Sequence, residues 1–305
     1  MTGAAPGEPI DLCGIALRGP ILNGSGTFDA IAARRAFGDS LLERFPFDCF
    51  VSKTITLEPR QGNPPPRLWE TASGMINSIG LPNKGLERFL AGDLPRLAEL
   101  PVPLCVSVMG FSHDELATLV EAVGSRDEVA LIELNLSCPN VETGTLVGAD
   151  PSETAAAVAR VRSVTERPLI VKLTPSATEP AAVAAAAEAA GADGVSLINT
   201  LKGMALDPVT RAPWLGGGTG GLSGPAVRPV ALEQVAAVAA RVAIPIVGMG
   251  GVASGADAAD LLAVGATVVA VGTESFRDPA AGRRIGAELA AIRVATSHIA
   301  AGSSL

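Results

Sequence analysis

The sequence predicts an α/β fold, a (β/α)8 TIM barrel with rim insertions after strands 2 and 6. Two observations lead to this prediction. Short apolar, β-branched runs alternate with helix-like stretches, and each run ends in small or polar residues. Such alternation, repeated eight times, is typical of a closed parallel barrel. Barrels of this kind reach 305 residues as one unit, so we expect residues 1–305 to form a single domain.

Eight runs supply the predicted strands. In chain order they are ILNGSG (21–26), FVSKT (50–54), LCVSVMG (104–110), LIELNLS (131–137), LIVKLTP (169–175), VSLINT (195–200), IPIVGMGG (244–251) and TVVAVGT (267–273). Between most of them lie stretches of helical composition, several rich in Ala, which has the best helix propensity. The clearest predicted helices are residues 114–124, 151–164, 180–191, 228–242 and 255–265.

An open, doubly wound sheet would show the same alternation, and glycine positions help to separate the two folds. No GxGxxG motif follows the first strand, whereas Gly250 and Gly251 end the seventh strand and Gly272 and Thr273 end the eighth. Each pair alone is compatible with an ordinary strand-to-helix turn. Together they favour a barrel that holds a phosphate group at the loops after strands 7 and 8.

Two long segments interrupt the regular spacing. Residues 55–83 follow the second strand and residues 201–225 follow the sixth, and both are rich in Pro and Gly. Loops of this length inside a compact domain are usually functional. Both are expected on the C-terminal rim, where barrel active sites are built.

Polar side chains collect at the predicted strand ends and in the first insertion. They are Asn23, Ser25, Lys53, Thr54, Asn135, Cys138, Asn140, Lys172, Asn199, Thr200, Asn77 and Ser78. Lys53 and Lys172 lie within apolar runs, where a cation is unfavourable unless it meets an anion or a polar ligand. Amide side chains can pair with a C=O and an N–H at once, which suits a planar heterocycle.

The four cysteines, at positions 13, 49, 105 and 138, lie far apart and form no CxxC pair, which argues against a disulfide framework, a cluster or a zinc site. Cys49 and Cys105 begin strands and are interpreted as small core residues. Cys138 is the thiol at the C-terminal end of a strand, so it is a candidate base or nucleophile; a buried structural thiol is the alternative. The two histidines, His113 and His298, are interpreted as surface or capping residues, and no metal site is predicted.

Charge and hydropathy exclude other classes of partner. The net charge is -8 without a dense basic cluster, so nucleic acid is not an expected partner. The mean hydropathy is +0.38, but no apolar run approaches the ~18 residues of a membrane helix. No export signal is visible at the N-terminus, and we expect a cytoplasmic protein.

Nine motifs, in order along nearly the whole chain, resemble those of the class 1 dihydroorotate dehydrogenases. They are NGSGT, VSKTIT, GMINSIGLPN, ELNLSCPN, VKLTP, INTLKGMALD, GGLSGPAVRPVAL, GMGGV and VGTESF. The sixth and seventh look most like class 1B, whose catalytic subunit works with a partner carrying FAD and a 2Fe–2S cluster and passes electrons to NAD. The resemblance implies an FMN barrel that oxidises (S)-dihydroorotate to orotate, as a homodimer or, with the partner, a heterotetramer.

The resemblance also implies roles for particular residues. Cys138 would remove a proton from C5 of the substrate, while hydride passes from C6 to the flavin. Substrate contacts would fall on Lys53, Asn77, Ser78, Ile79, Gly80, Leu81, Asn135, Asn140, Asn199 and Thr200. Cofactor contacts would fall on Ser25, Gly26, Lys53, Thr54, Asn135, Lys172, Ile198, Ser223, Gly224, Gly250, Gly251, Gly272 and Thr273.

The chain departs from the family pattern in two places. Ser176 stands where an amide side chain is expected, and residues 141–151 lack the glycine pair and the aromatic residue typical of class 1B. Three alternatives stay open from the sequence: a class 1A-like enzyme that uses fumarate, a relative acting on another dihydropyrimidine, and a catalytically idle phosphate-binding barrel.

Overall fold

The computed structural model describes residues 9–136 and 147–302. Its strands are β1 (Ile10–Leu12), β2 (Ile15–Leu17), β3 (Ile21–Asn23), β4 (Phe50–Val51), β5 (Leu68–Thr71), β6 (Gly74–Asn77), β7 (Leu104–Val108), β8 (Leu131–Asn135), β9 (Leu169–Lys172), β10 (Gly194–Leu197), β11 (Leu201–Gly203), β12 (Gly220–Ser223), β13 (Ile246–Met249) and β14 (Val268–Val271). Its α-helices are α1 (Ala30–Phe37), α2 (Ser40–Glu43), α3 (Leu86–Arg88), α4 (Leu94–Leu97), α5 (His113–Gly124), α6 (Pro151–Arg162), α7 (Pro180–Ala189), α8 (Arg228–Ala239), α9 (Gly255–Ala263), α10 (Glu274–Arg277) and α11 (Ala281–Gly302).

Eight strands form one parallel sheet in the order β3-β14-β13-β10-β9-β8-β7-β4. A parallel bridge between Leu22 and Cys49 joins its two ends. The Asn23 side chain reinforces this junction: its amide nitrogen donates to the Val51 carbonyl at 2.7 Å, and its amide oxygen accepts from the Val51 N–H at 2.8 Å. The sheet therefore closes, and the predicted barrel, rather than the open doubly wound sheet, is confirmed.

All eight predicted strand runs overlap a barrel strand, and the five clearest predicted helices correspond to α5, α6, α7, α8 and α9. Side chains within the helices justify several boundaries. Ser112, Asp150 and Ser254 each accept a hydrogen bond from a backbone N–H of the first helical turn, which is the usual N-cap arrangement. The helices pack Val, Leu and Ala against the outside of the sheet, which buries the apolar content of the sequence.

The two insertions combine into a second sheet, which the sequence did not predict. Strands β5 and β6 from the first insertion and β11 and β12 from the second form an antiparallel sheet in the order β11-β12-β6-β5. We call it the inserted sheet. The junction between the insertions pairs Gly221 with Asn77 and Ser223 with Met75. Trp69 and Trp214 pack edge to face on it, with ring centroids 5.1 Å apart.

The N-terminal hairpin, β1 and β2, covers the opposite end of the barrel. Leu12 and Leu17 are buried there in a cluster with Cys49 and Cys105. The interpretation of these two cysteines as core residues is confirmed, since they are 0% and 2% exposed. Burial raises the pKa of the Cys49 thiol to about 12, which keeps it unreactive. Within the described residues, no helix is both long and apolar enough to cross a membrane.

Candidate functional site

A cavity of about 480 Å³ opens at the carboxyl ends of the barrel strands, beneath the inserted sheet. We call it the rim cavity. Its volume lies in the range of small-molecule and cofactor sites. Strands β3, β6, β8, β9, β12, β13 and β14 or the loops that follow them contribute to the wall. Because the ends of parallel strands meet on one face, residues far apart in sequence come together there.

Most of the sequence-predicted site residues line this cavity. They are Ser25, Gly26, Lys53, Thr54, Asn77, Ile79, Gly80, Leu81, Asn135, Lys172, Ile198, Asn199, Thr200, Ser223, Gly224, Gly250, Gly251, Gly272 and Thr273. The structure does not bring Ser78 into the wall: it is buried, and its hydroxyl accepts a hydrogen bond from the Asn63 side chain at 3.0 Å. Cys138 and Asn140 lie outside the described residues.

Two lysines bring positive charge to the cavity. Lys172, at the end of β9, is 5% exposed, and its Nζ donates to the Ser25 hydroxyl at 2.9 Å. Lys53 follows β4, and burial lowers the pKa of its ammonium group. The Lys53 ammonium group therefore favours an anionic or strongly polar ligand, which would offset the desolvation of its charge.

The wall formed by the loops after β12, β13 and β14 is made largely of glycine. Gly250 has φ +128°, and a Cβ there would lie 2.8 Å from the Ala231 Cβ. At Gly272 the nearest protein atom to a Cβ would be 3.9 Å away, although the residue lines the cavity. A side chain at Gly272 would therefore occupy ligand space rather than clash with protein. Bare backbone N–H groups of this kind can approach an anion closely.

The opposite wall comes from the inserted sheet and the loop after β10. The Asn77 amide nitrogen donates to the Gly221 carbonyl at 3.2 Å, which fixes the side chain against β12. The Asn199 side-chain oxygen accepts from the Thr200 N–H at 2.8 Å. These contacts hold amide and hydroxyl groups at defined positions on the wall, where they can orient a polar ligand.

A buried polar network lies below the cavity floor. The Asn135 amide nitrogen donates to the Thr54 hydroxyl at 3.3 Å, which lies 2.9 Å from the Ser107 hydroxyl. Ser107 in turn donates to the Glu133 carboxylate at 2.9 Å. Within the ELN segment of β8, Glu133 therefore bonds to protein below the cavity, while Asn135 bonds to Thr54 and also lines the cavity wall. Glu133 was not among the predicted site residues, although a charged residue inside an apolar run was a detectable signal.

Sequence reasoning also missed several residues of the wall. Met109, Met75 and Leu222 add apolar surface, and Arg60 and Arg277 also line the cavity. Met109 could have been found, because it ends the third predicted strand as the other wall residues end theirs. Histidine contributes nothing to the wall among the described residues, and no group of three His, Cys, Asp or Glu side chains in that part of the chain could hold a metal ion.

Fold and site together define a (β/α)8-barrel protein with a cofactor-sized cavity at the carboxyl ends of its strands, the place where barrel enzymes carry their active sites. The family model described as dihydroorotate dehydrogenase matches residues 9–292. The chain belongs to the dihydroorotate dehydrogenase family.

Similar proteins indicate the subclass of the family to which the chain is most similar. A relative from Pelobacter propionicus is 45% identical over 282 residues, which are 92% of this chain and 91% of the relative. Relatives from Trichlorobacter lovleyi and Geotalea daltonii are 43% and 44% identical over 92% and 93% of this chain and 91% and 92% of their own lengths. All three are named dihydroorotate dehydrogenase B (NAD(+)), catalytic subunit. The predicted likeness to class 1B is thus confirmed.

Proposed function

We propose that this chain is the catalytic subunit of an NAD-linked dihydroorotate dehydrogenase, which oxidises (S)-dihydroorotate to orotate in pyrimidine synthesis with FMN in the rim cavity. The observation that carries this function is the composition of that cavity: Lys53, Lys172, Asn77 and Asn199 face one space that a glycine wall closes. Relatives covering more than nine-tenths of the chain carry the same activity in their names.

The residues of the cavity fit FMN. The glycine wall leaves room for a phosphate group against backbone N–H groups, and Gly250, Gly251, Gly272 and Thr273, with Ser223 and Gly224 nearby, would hold it. The buried Lys172 ammonium would face the polar edge of the ring system, and Ser25, Gly26, Thr54 and Ile198 would line its faces. When bound, FMN supplies a hydride acceptor, which protein side chains lack.

The chain itself orients the substrate and moves the proton. Lys53 offers a positive charge to an anionic substrate, and the amides of Asn77, Asn135 and Asn199 can pair with its ring carbonyl and N–H groups. Fixed orientation of this kind supplies much of the catalytic advantage. Cys138, which lies outside the described residues, is proposed to accept the proton from C5 as the thiolate. A free thiol titrates near ~8.5, so turnover should rise towards alkaline pH.

A partner protein is part of the proposal. The words "catalytic subunit" in the names of the relatives support a second subunit that carries the electrons onward to NAD(+). We propose that this partner holds FAD and a 2Fe–2S cluster, as the class 1B resemblance implies, and that the assembly is a homodimer extended to a heterotetramer. Copurification of a yellow-brown partner from the native source would support this, and fumarate-dependent turnover of the isolated chain would contradict it.

The test is anaerobic reduction of the purified protein by dihydroorotate, followed by the visible absorbance band of oxidised flavin. We expect rapid bleaching in the wild type. In Cys138→Ser we expect bleaching slowed at least about a hundredfold, because the serine hydroxyl is a weaker base than the cysteine thiolate. Cys13→Ser is the matched control, since Cys13 donates to the Asp193 carbonyl at the other end of the barrel, a bond that a hydroxyl can also make.

Each outcome decides a separate part of the proposal. A colourless protein that does not take up FMN would overturn flavin binding. A yellow protein that dihydroorotate does not bleach would overturn the substrate while leaving the flavin. Equal slowing in Cys138→Ser and Cys13→Ser would remove Cys138 from its role as the base.

A further inference from the structure

We infer that Glu133 is a positioning residue. It acts on the rim cavity in two ways, through the charge of Lys172 and through a directed chain of hydroxyl groups that ends at Asn135. The inference rests on the proposed function, since it concerns how these groups act on FMN and orotate. Glu133 does not line the rim cavity and has no role in the chemistry proposed above.

Glu133 first acts through its charge. The side chains of Glu133 and Lys172 are only 4% and 7% exposed, and the carboxylate lies 3.8 Å from the ammonium nitrogen. On its other side that nitrogen donates to Ser25 in the cavity wall. Lys172 is therefore held between a buried anion below and the ligand space above. Removal of one member of a buried ion pair leaves the other charge uncompensated.

Glu133 also sets the direction of a chain of hydrogen bonds. A carboxylate only accepts hydrogen bonds, so the Ser107 and Ser196 hydroxyls, at 2.9 and 3.1 Å, must both donate to Glu133. Ser107 has a single hydroxyl proton and uses it there. In the contact between Ser107 and Thr54 the donor must then be Thr54, and the Thr54 oxygen is left to accept from the Asn135 amide.

Both effects of Glu133 reach groups that face the proposed ligands. Lys172, Thr54 and Asn135 line the cavity, while Glu133, Ser107 and Ser196 are buried beneath it. The negative charge of Glu133 offsets the positive potential of Lys172 at the flavin. Reduction places additional negative charge on the flavin, so Glu133 lowers the tendency of bound FMN to be reduced. The same carboxylate fixes which way the Asn135 amide faces.

The test of the charge argument is the two-electron midpoint potential of bound FMN in Glu133→Gln, which has nearly the same shape without the charge. We expect the ratio of affinities for reduced over oxidised FMN to rise about tenfold, an upward shift of about 30 mV. In a Lys172→Met background the Glu133→Gln substitution should shift the potential less than half as much, since the cycle isolates the interaction between the two residues.

Asp48→Asn is the control, since it also removes a carboxylate charge, but from a half-buried side chain that accepts from the Ile21 N–H at the far end of the barrel. Its potential should equal that of the wild type. A Glu133→Gln protein that retains FMN at an unchanged potential would overturn the charge argument. That result is distinct from failure of the proposed function, which would appear as a wild-type protein that dihydroorotate cannot reduce.

A second variant tests the hydroxyl chain and keeps both charges, so it decides the inference even if Glu133→Gln does not fold. Ser107→Ala breaks the link between Glu133 and Thr54, and we expect orotate to bind about fivefold more weakly, the effect of one hydrogen bond, while the flavin potential stays unchanged. Unchanged orotate affinity in Ser107→Ala would overturn the role of Glu133 in orienting Asn135.

Discussion

Lys53 is the residue that we propose meets the anionic substrate. Burial lowers the pKa of its ammonium group, Asp29 opposes this shift, and Arg67 adds to it. An anionic ligand stabilises the charged form and raises the pKa of Lys53 again. Between the lowered pKa of the free protein and the higher pKa of the complex, binding of the anion therefore takes up a proton. Affinity must fall as pH rises through this range.

We expect orotate binding by the wild type to weaken at alkaline pH, beginning below the ordinary lysine value of 10.5. Lys53→Met should bind about 10- to 100-fold more weakly at neutral pH, since a hydrogen bond to a charged group contributes about 1.5–3 kcal/mol. Lys53→Arg should bind with little dependence on pH, because a guanidinium group stays protonated. Titration of orotate against flavin absorbance across the pH range measures all three.

Lys84 supplies the control for this prediction. It forms an exposed ion pair with Asp93 at 2.6 Å, outside the cavity wall. Lys84→Met should bind orotate as the wild type does. If wild-type affinity stays flat up to the ordinary lysine range, Lys53 does not meet the anion.

The inserted sheet forms the part of the cavity wall against which we propose that the substrate binds. Gly221 in β12 lies against Thr200, and a Cβ at Gly221 would be 2.0 Å from the Thr200 hydroxyl oxygen. Gly203 in the neighbouring strand β11 offers ordinary contact instead, with its nearest atom, the Leu222 Cβ, at 3.5 Å. Both glycines belong to one antiparallel pair, so they form a matched pair of positions.

We expect Gly221→Ala to weaken orotate binding by about tenfold or more, because the new methyl group must displace Thr200 by more than an ordinary packing adjustment. Gly203→Ala should change it less than about twofold, since the methyl group fits. Orotate affinity and FMN content of both variants are the measurements. Equal effects at the two positions would show that the packing of β12 against Thr200 does not control the substrate side.

The barrel elements were predictable because each carries its own local signal. The run LIVK in β9 is largely apolar and contains β-branched residues, and the Ala-rich stretch of α7 follows it. The inserted sheet carries no such signal. Its strand β12 reads GGLS, and its partner β6 lies in the other insertion. Pairing between segments that far apart depends on where the barrel places the two loops, which no local pattern contains.

The site was predictable where a residue conflicts with its surroundings. Lys53 and Lys172 are cations in apolar runs, and both line the cavity. Glu133 carries the same conflict, but its partners are Ser107 and Ser196 beneath the cavity, from other strands of the folded barrel. Asn23 is a polar residue at a predicted strand end, but its bonds to Val51 exist only because β3 and β4 are neighbours in the closed barrel.

At the scale of the whole molecule, one end of the barrel carries the proposed active site and the other end is packed for stability. The rim cavity lies at the carboxyl ends of the strands, and the N-terminal hairpin covers the other end with the fully buried Leu12 and Leu17. The eight strands between the ends form a packed core rather than a channel. A change in the packing of the hairpin should therefore alter the free energy of unfolding without altering the geometry of the cavity.

Leu12→Ala tests this separation. It should lower the free energy of unfolding by about 2–5 kcal/mol, the usual effect of a large-to-small substitution in a core. Orotate affinity and flavin potential should stay within about twofold and a few millivolts of the wild type, because Leu12 lies at the other end of the barrel and does not line the cavity. Asn77→Ala is the reciprocal variant, with weaker orotate binding and little change in stability. Unfolding is followed at saturating FMN in each variant, since bound cofactor itself stabilises the folded state. A loss of orotate affinity in Leu12→Ala would show that the hairpin and the cavity are coupled through the barrel core.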